Sequence, residues 1–161
     1  MALFIIILSG FLLISCGSNE RVCDKLCIPD SLVTFNQNIE LSKTDYKIIT
    51  HIDLSCNVCW DDLFMWNNFL NDSINNNSSL YCFIYTIDKK ITEKKLFNVA
   101  DLSPRCYIIF DEQSKYLENN KEIIKKYRTV SFVTDSSMNI ILYGAPFYDK
   151  ELREKYLSLF K

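Results

Sequence analysis

The chain is expected to fold as an α/β sandwich, a central mixed sheet flanked by helices, with a hairpin and a helix at its C-terminal end. Three observations carry this expectation. Apolar runs of strand length alternate with segments of helical periodicity through the middle of the chain. Two β-branched runs, Ser131-Phe132-Val133-Thr134 and Ile140-Ile141-Leu142-Tyr143, flank the turn-forming Asp135-Ser136-Ser137-Met138-Asn139, the pattern of a β-hairpin. Asp149 then offers an N-cap to a last helix that places Leu152, Tyr156 and Phe160 on one face.

In chain order, residues 17–45 are polar and mixed. They read as a tether over 17–20, then an extended segment past Ile28-Pro29 and Leu32-Val33. Residues 47–53 read as a buried strand, and residues 56–70 as a helix, because Cys59, Leu63, Trp66 and Leu70 recur at three-to-four spacing. Asn75-Asn76-Asn77-Ser78-Ser79 is the clearest loop. Residues 80–87 are aromatic and β-branched, a strand. A short helix over 92–99, a strand over 107–110 and a helical stretch over 118–127 lead to the hairpin.

Residues 2–14 are apolar apart from Ser9 and Gly10. That is short of the roughly 20 residues of a bilayer span and suits the apolar region of a signal peptide. The run ends Leu13-Ile14-Ser15-Cys16, which resembles the lipobox of bacterial lipoproteins. There the peptidase cuts before the cysteine, which becomes the lipidated N-terminus. Residues 1–15 are therefore expected to be a lipoprotein signal peptide, 16–45 a lipidated cysteine with tether and extension, and 46–161 the folded domain. The alternative is an uncleaved anchor in which Cys16 is incidental. Either way the body lies outside the cytoplasm, in the cell envelope, facing the periplasm or the exterior. Several acyl chains on Cys16 would hold it stably at the membrane. The net charge of -2, with no basic cluster, excludes nucleic acid as a partner class, and 14% aromatic content excludes disorder. Seven cysteines suit an oxidising compartment.

Chemistry concentrates at Cys56-Asn57-Val58-Cys59, a C-x-x-C where the first strand meets the first helix. The first sulfur then sits at a helix N-terminus, whose partial positive charge favours thiolate. The second lies three residues on, near enough to close a small disulfide ring. Asn57 and Val58 add no charge. A four-sulfur zinc site with Cys23 and Cys27 has the right ligand count, but unequal spacing and export argue against it. No metal is expected.

The placed C-x-x-C, the hairpin and the C-terminal helix together resemble the thioredoxin family over residues 46–160. Within it, the chain is similar to the lipid-anchored, thioredoxin-like proteins common in Bacteroidetes-type bacteria. The similarity runs through Ile52-Asp53-Leu54-Ser55-Cys56 with Leu63 and Trp66, then Phe110-Asp111, Asn119-Asn120, the strand from Ser131 to Asp135, and Gly144-Ala145-Pro146. The resemblance implies a thiol–disulfide oxidoreductase with Cys56 as nucleophile and Cys59 as resolving thiol. It would act on protein thiols or disulfides, cycle with a redox partner protein and need no bound cofactor. Three positions depart from the family. Ser55 stands where a Trp usually precedes the first cysteine, and Thr50 where a buried carboxylate is expected. Val130, after Thr129, stands where a cis-proline shapes the groove that holds the substrate backbone. That assigns the substrate groove to Thr129 and Val130. A cis bond before a non-proline costs about 2.5–4 kcal/mol, so Val130 is expected to be trans. The alternative function is a thioredoxin-fold binding or scaffold module without redox turnover.

Cys82, between Tyr81 and Phe83, reads as a small buried hydrophobe, and Cys106 as the same, although a disulfide between them is open. Cys23 and Cys27 allow a local disulfide or a second pair passing electrons to Cys56 and Cys59. His51, the sole histidine, should face away from Thr50 and Ile52. Copper delivery wants C-x-x-x-C and a later histidine, whereas the Cys56–Cys59 spacing is C-x-x-C and no histidine follows it. Trp60 and Trp66 read as core, with Trp60 a candidate for the active-site rim.

Overall fold

The computed structural model describes residues 24–29, 33–35, 46–56, 58–73, 78–98 and 102–160. The elements run β1 (Val33–Thr34), β2 (Tyr46–Asp53), α1 (Cys59–Ser73), β3 (Ser78–Tyr85), α2 (Lys89–Asn98), β4 (Cys106–Phe110), α3 (Lys115–Asn119), α4 (Lys121–Tyr127), β5 (Phe132–Asp135), β6 (Ile140–Tyr143) and α5 (Lys150–Leu159). Among the described residues six strands form one mixed sheet in the order β1-β4-β3-β2-β5-β6. β2, β3 and β4 are parallel, whereas β5 runs antiparallel to β2 and β6 to β5.

Burial on both faces explains why the central strands read as near-continuous apolar runs. On one face Ile48 and Ile52 of β2 meet Leu63, Trp66 and Leu70 of α1, Leu96 of α2 and Tyr156 of α5. On the other, Ile49, Phe83 and Ile109 meet Tyr116 of α3 and Leu26. Each such large apolar side chain contributes about 1.5–3 kcal/mol when fully buried. Leu26, 2% exposed, enters with a segment anchored across the hairpin: its amide donates to the Met138 carbonyl (3.0 Å), and the Ile140 amide to that of Asp24 (2.9 Å).

Element types follow the pattern in the sequence, but several boundaries differ, each for a side-chain reason. α1 starts at Cys59 rather than Cys56. The Asp53 carboxylate accepts the Ser55 amide (2.9 Å) and holds the chain in a turn there. α2 starts three residues before the expected 92, because Asp88 accepts the Ile91 amide (3.0 Å). The helical stretch expected over 118–127 is two helices starting at Lys115. Both Asp111 carboxylate oxygens take amides there, from Lys115 and Tyr116, at 2.8 Å each. β3 takes in Ser78 and Ser79, read as loop, because they pair in register with Tyr46 and Lys47. Ile87, read as strand, lies beyond β3 and is 80% exposed. The hairpin and last helix stand as expected, with Asp149 accepting the Leu152 amide at 3.0 Å.

The expected signal segment, Cys16 and Cys23 lie outside the described residues. Among those described, no helix is long and apolar enough to cross a membrane.

Candidate functional site

β2 delivers the chain to the C-x-x-C, and α1 carries it away. Cys56 and Cys59 form a disulfide with Cα atoms 5.4 Å apart. Cys56 is exposed, whereas Cys59 is half-buried and packs against the α1-side core. The Cys59 amide, first of the helix, donates to the Cys56 sulfur at 3.3 Å. A sulfur so placed gains from the helix terminus as a thiolate. Charge nearby pulls the other way: Asp61 and Asp62 stand in the first turn of α1, and hydrogen bonds from Ser55 hold the Asp53 carboxyl below its usual value.

Thr50 is 1% exposed, and its hydroxyl lies 2.7 Å from that of Ser131, in a buried pair. A hydroxyl pair thus fills the position where the resembled family has a carboxylate. The pair also ties β2 to residues 128–131, between α4 and β5. Thr129 and Val130 are half-buried there. All described peptide bonds are trans, the one before Val130 included. The Thr129 hydroxyl accepts the Ser131 amide (3.1 Å), and the Val130 carbonyl accepts the Tyr116 hydroxyl (3.5 Å).

Between this loop and β2 lies a groove of about 440 Å³. Thr50, His51 and Ile52 line it on one side, and Thr129, Val130 and Ser131 on the other. Neither Cys56 nor Cys59 is among its lining residues. Arg128, Asp62 and Trp66 also line it, and periodicity did not single out the first two. Arg128 lies in α4's C-cap and Asp62 on α1, so only the folded chain brings them together.

His51 stacks on Tyr116, ring centroids 6.4 Å apart, on the face away from α1 as alternation requires. Its Nε2 is buried without a hydrogen-bond partner among the described residues. Burial lowers its pKa, while Asp111 and Asp53 act to raise it.

Trp66 is core, and Trp60, 8% exposed, lies under the Lys95 ammonium, 5.5 Å from the ring centroid. Cys82 and Cys106 are fully buried free thiols, and burial first, with Cys106 adding to it, pushes the Cys82 thiol well up. Cys27 is free and exposed. Among the described residues no three His, Cys, Asp or Glu side chains gather as a metal site would require.

No protein-family model matches the chain, and no curated protein does. Solved structures do. Copper-bound ScoI from Arabidopsis thaliana is 13% identical, over 85% of this chain and 96% of that one, with a TM-score of 0.53. StoA from Bacillus subtilis is 16% identical, covering 70% and 83%, with a TM-score of 0.47. Etrx1, an exposed lipoprotein thioredoxin of Streptococcus pneumoniae, is 11% identical, covering 73% and 86%, at 0.46. The mixed sheet, the strand–disulfide–helix junction and the likeness to ScoI give this chain a thioredoxin-like fold.

Proposed function

We propose that the protein is a lipid-anchored, extracytoplasmic thiol–disulfide oxidoreductase working through Cys56 and Cys59. One observation carries the reading: an exposed Cys56 sulfur, disulfide-bonded to half-buried Cys59, receives the amide that opens α1. In the reducing direction the Cys56 thiolate attacks a sulfur of the substrate disulfide. A mixed disulfide forms and one substrate thiolate leaves. Cys59, deprotonated, then attacks the Cys56 sulfur, closing the Cys56–Cys59 ring and releasing the second substrate thiolate. Two electrons pass from the dithiol to the substrate, and the reverse sequence oxidises a substrate dithiol. No bound cofactor takes part, only a partner protein that resets the pair. Thr129 and Val130 form the substrate side of the site. The apolar run over 2–14 and the Ser15-Cys16 junction support export and lipidation at Cys16.

A second reading, a binding or scaffold module without redox turnover, is favoured by the Thr50–Ser131 hydroxyl pair, which supplies no carboxylate to take a proton from Cys59. Substitution separates the two. Cys59→Ser is expected to trap mixed disulfides through Cys56 that Cys56→Ser does not form, seen as reducible adducts by mass. A Cys59→Ser protein that captures nothing favours the scaffold.

A further inference from the structure

We propose that Arg128 is the specificity determinant of the groove, selecting partners whose extended segment places an aspartate or glutamate there. The inference deepens the oxidoreductase reading, from which it takes the polypeptide nature of the partner.

The groove is shaped for an extended chain. β2 pairs with β3 over its whole length, but with β5 only as far as Ile49, opposite Phe132. Residues 50–53 therefore run past the end of β5 along the groove, and Thr50, His51 and Ile52 line it. Thr50 and Ile52 there are buried, 1% and 4% exposed, so an extended segment meets this stretch at half-buried His51 and exposed Asp53. The same strand leads on to Cys56, so a segment laid along it approaches the disulfide.

Charge then selects the side chain. Arg128 lies in the C-cap of α4 with φ 53° and ψ 37°, the left-handed region that favours glycine. This exposed position carries a long cation instead. Among the described residues it has no ion pair, whereas Lys126, two residues earlier, is paired with Asp24. The loop beside it offers only the Thr129 and Ser131 hydroxyls, and His51, its pKa lowered by burial, is neutral at pH 7. Among the described residues Asp62 is the single carboxylate lining the groove. It repels an acidic group from its own side and leaves the Arg128 side as the place where a partner carboxylate is stabilised.

The test uses the full-length protein and short fluorescent peptides in which a central serine replaces cysteine, flanked by Asp, Asn or Lys. Anisotropy reads binding without thiol chemistry. The Asp peptide is expected to bind about fivefold more tightly than the Asn peptide at low salt. The preference should shrink at about 0.5 M salt and vanish in Arg128→Gly. That variant supplies the residue a left-handed position favours, so its thermal midpoint should not fall. Absence of an acidic preference, or one unchanged in Arg128→Gly, overturns the proposal. Dithiothreitol exchange with the wild-type disulfide is read in parallel. A disulfide that does not cycle, beside an Arg128-dependent preference, sinks the redox reading and leaves this proposal standing. A cycling disulfide without that preference does the reverse.

Discussion

Thr50 and Ser131 decide much of the chemistry open to the site. Their hydroxyls satisfy each other at 2.7 Å in a buried position, so the pair costs little to bury and has no charge to lend. Any activation of Cys56 then comes from its own surroundings: the Cys59 amide and the start of α1, set against Asp53, Asp61 and Asp62. The fold resists protonation of His51. Its pKa is lowered by burial, with Asp111 and Asp53 opposing. On acidification the unfolded chain binds the proton first, at about pH 6.5, while the folded chain still resists it. Stability therefore falls as the pH drops below about 6.5, and this component levels off only below the folded pKa. Urea titrations from pH 7 to 5 should show a shallower fall in midpoint for His51→Gln than for the wild type, and equal slopes would show that His51 does not carry it. That His51 faces away from Thr50 was legible from strand alternation. Its unpartnered Nε2 was not, because that depends on Tyr116, brought from α3 by the fold.

Helices and strands were legible by type because their apolar spacing is local. Their boundaries were less so, because caps and tertiary partners set them. Asp111 ends β4 and opens α3 with one carboxylate. Asn120, between α3 and α4, donates to the carbonyls of Cys27 and Tyr116 while its side-chain oxygen accepts the Cys27 amide. No local pattern announces a break whose partner lies in the N-terminal extension. α5 is the opposite case, with both cap and apolar face readable from Asp149, Leu152, Tyr156 and Phe160. Tyr156 also donates from its hydroxyl to the Gly144 carbonyl at 2.7 Å, fixing the helix to the turn after β6. Asp149→Ala should cost about 1 kcal/mol, lowering the urea midpoint without changing the slope of the transition. An unchanged midpoint would mean that the cap contributes nothing to folding.

Across the whole molecule, one sheet divides two cores and brings the end of β2, the start of α1 and the loop before β5 to one end of the strands. The C-x-x-C was legible because its residues are neighbours in the chain. Thr129 and Val130 were singled out only through the resemblance to a family position, and the fold places them with Arg128 and Asp62 in the lining of one groove. Burial sorts the thiols as well: Cys82 and Cys106 are sealed in the core, and Cys56 stands at the surface. In the proposed function the Cys56–Cys59 bond opens and closes as the working couple. Its most direct test is the reduction potential, read by equilibrating the full-length protein with glutathione buffers and weighing the alkylated peptide that contains both cysteines. A reversible two-electron couple between about -270 and -120 mV is the expected result. A pair that never cycles, or that stays oxidised below about -300 mV, would contradict it and make the disulfide structural.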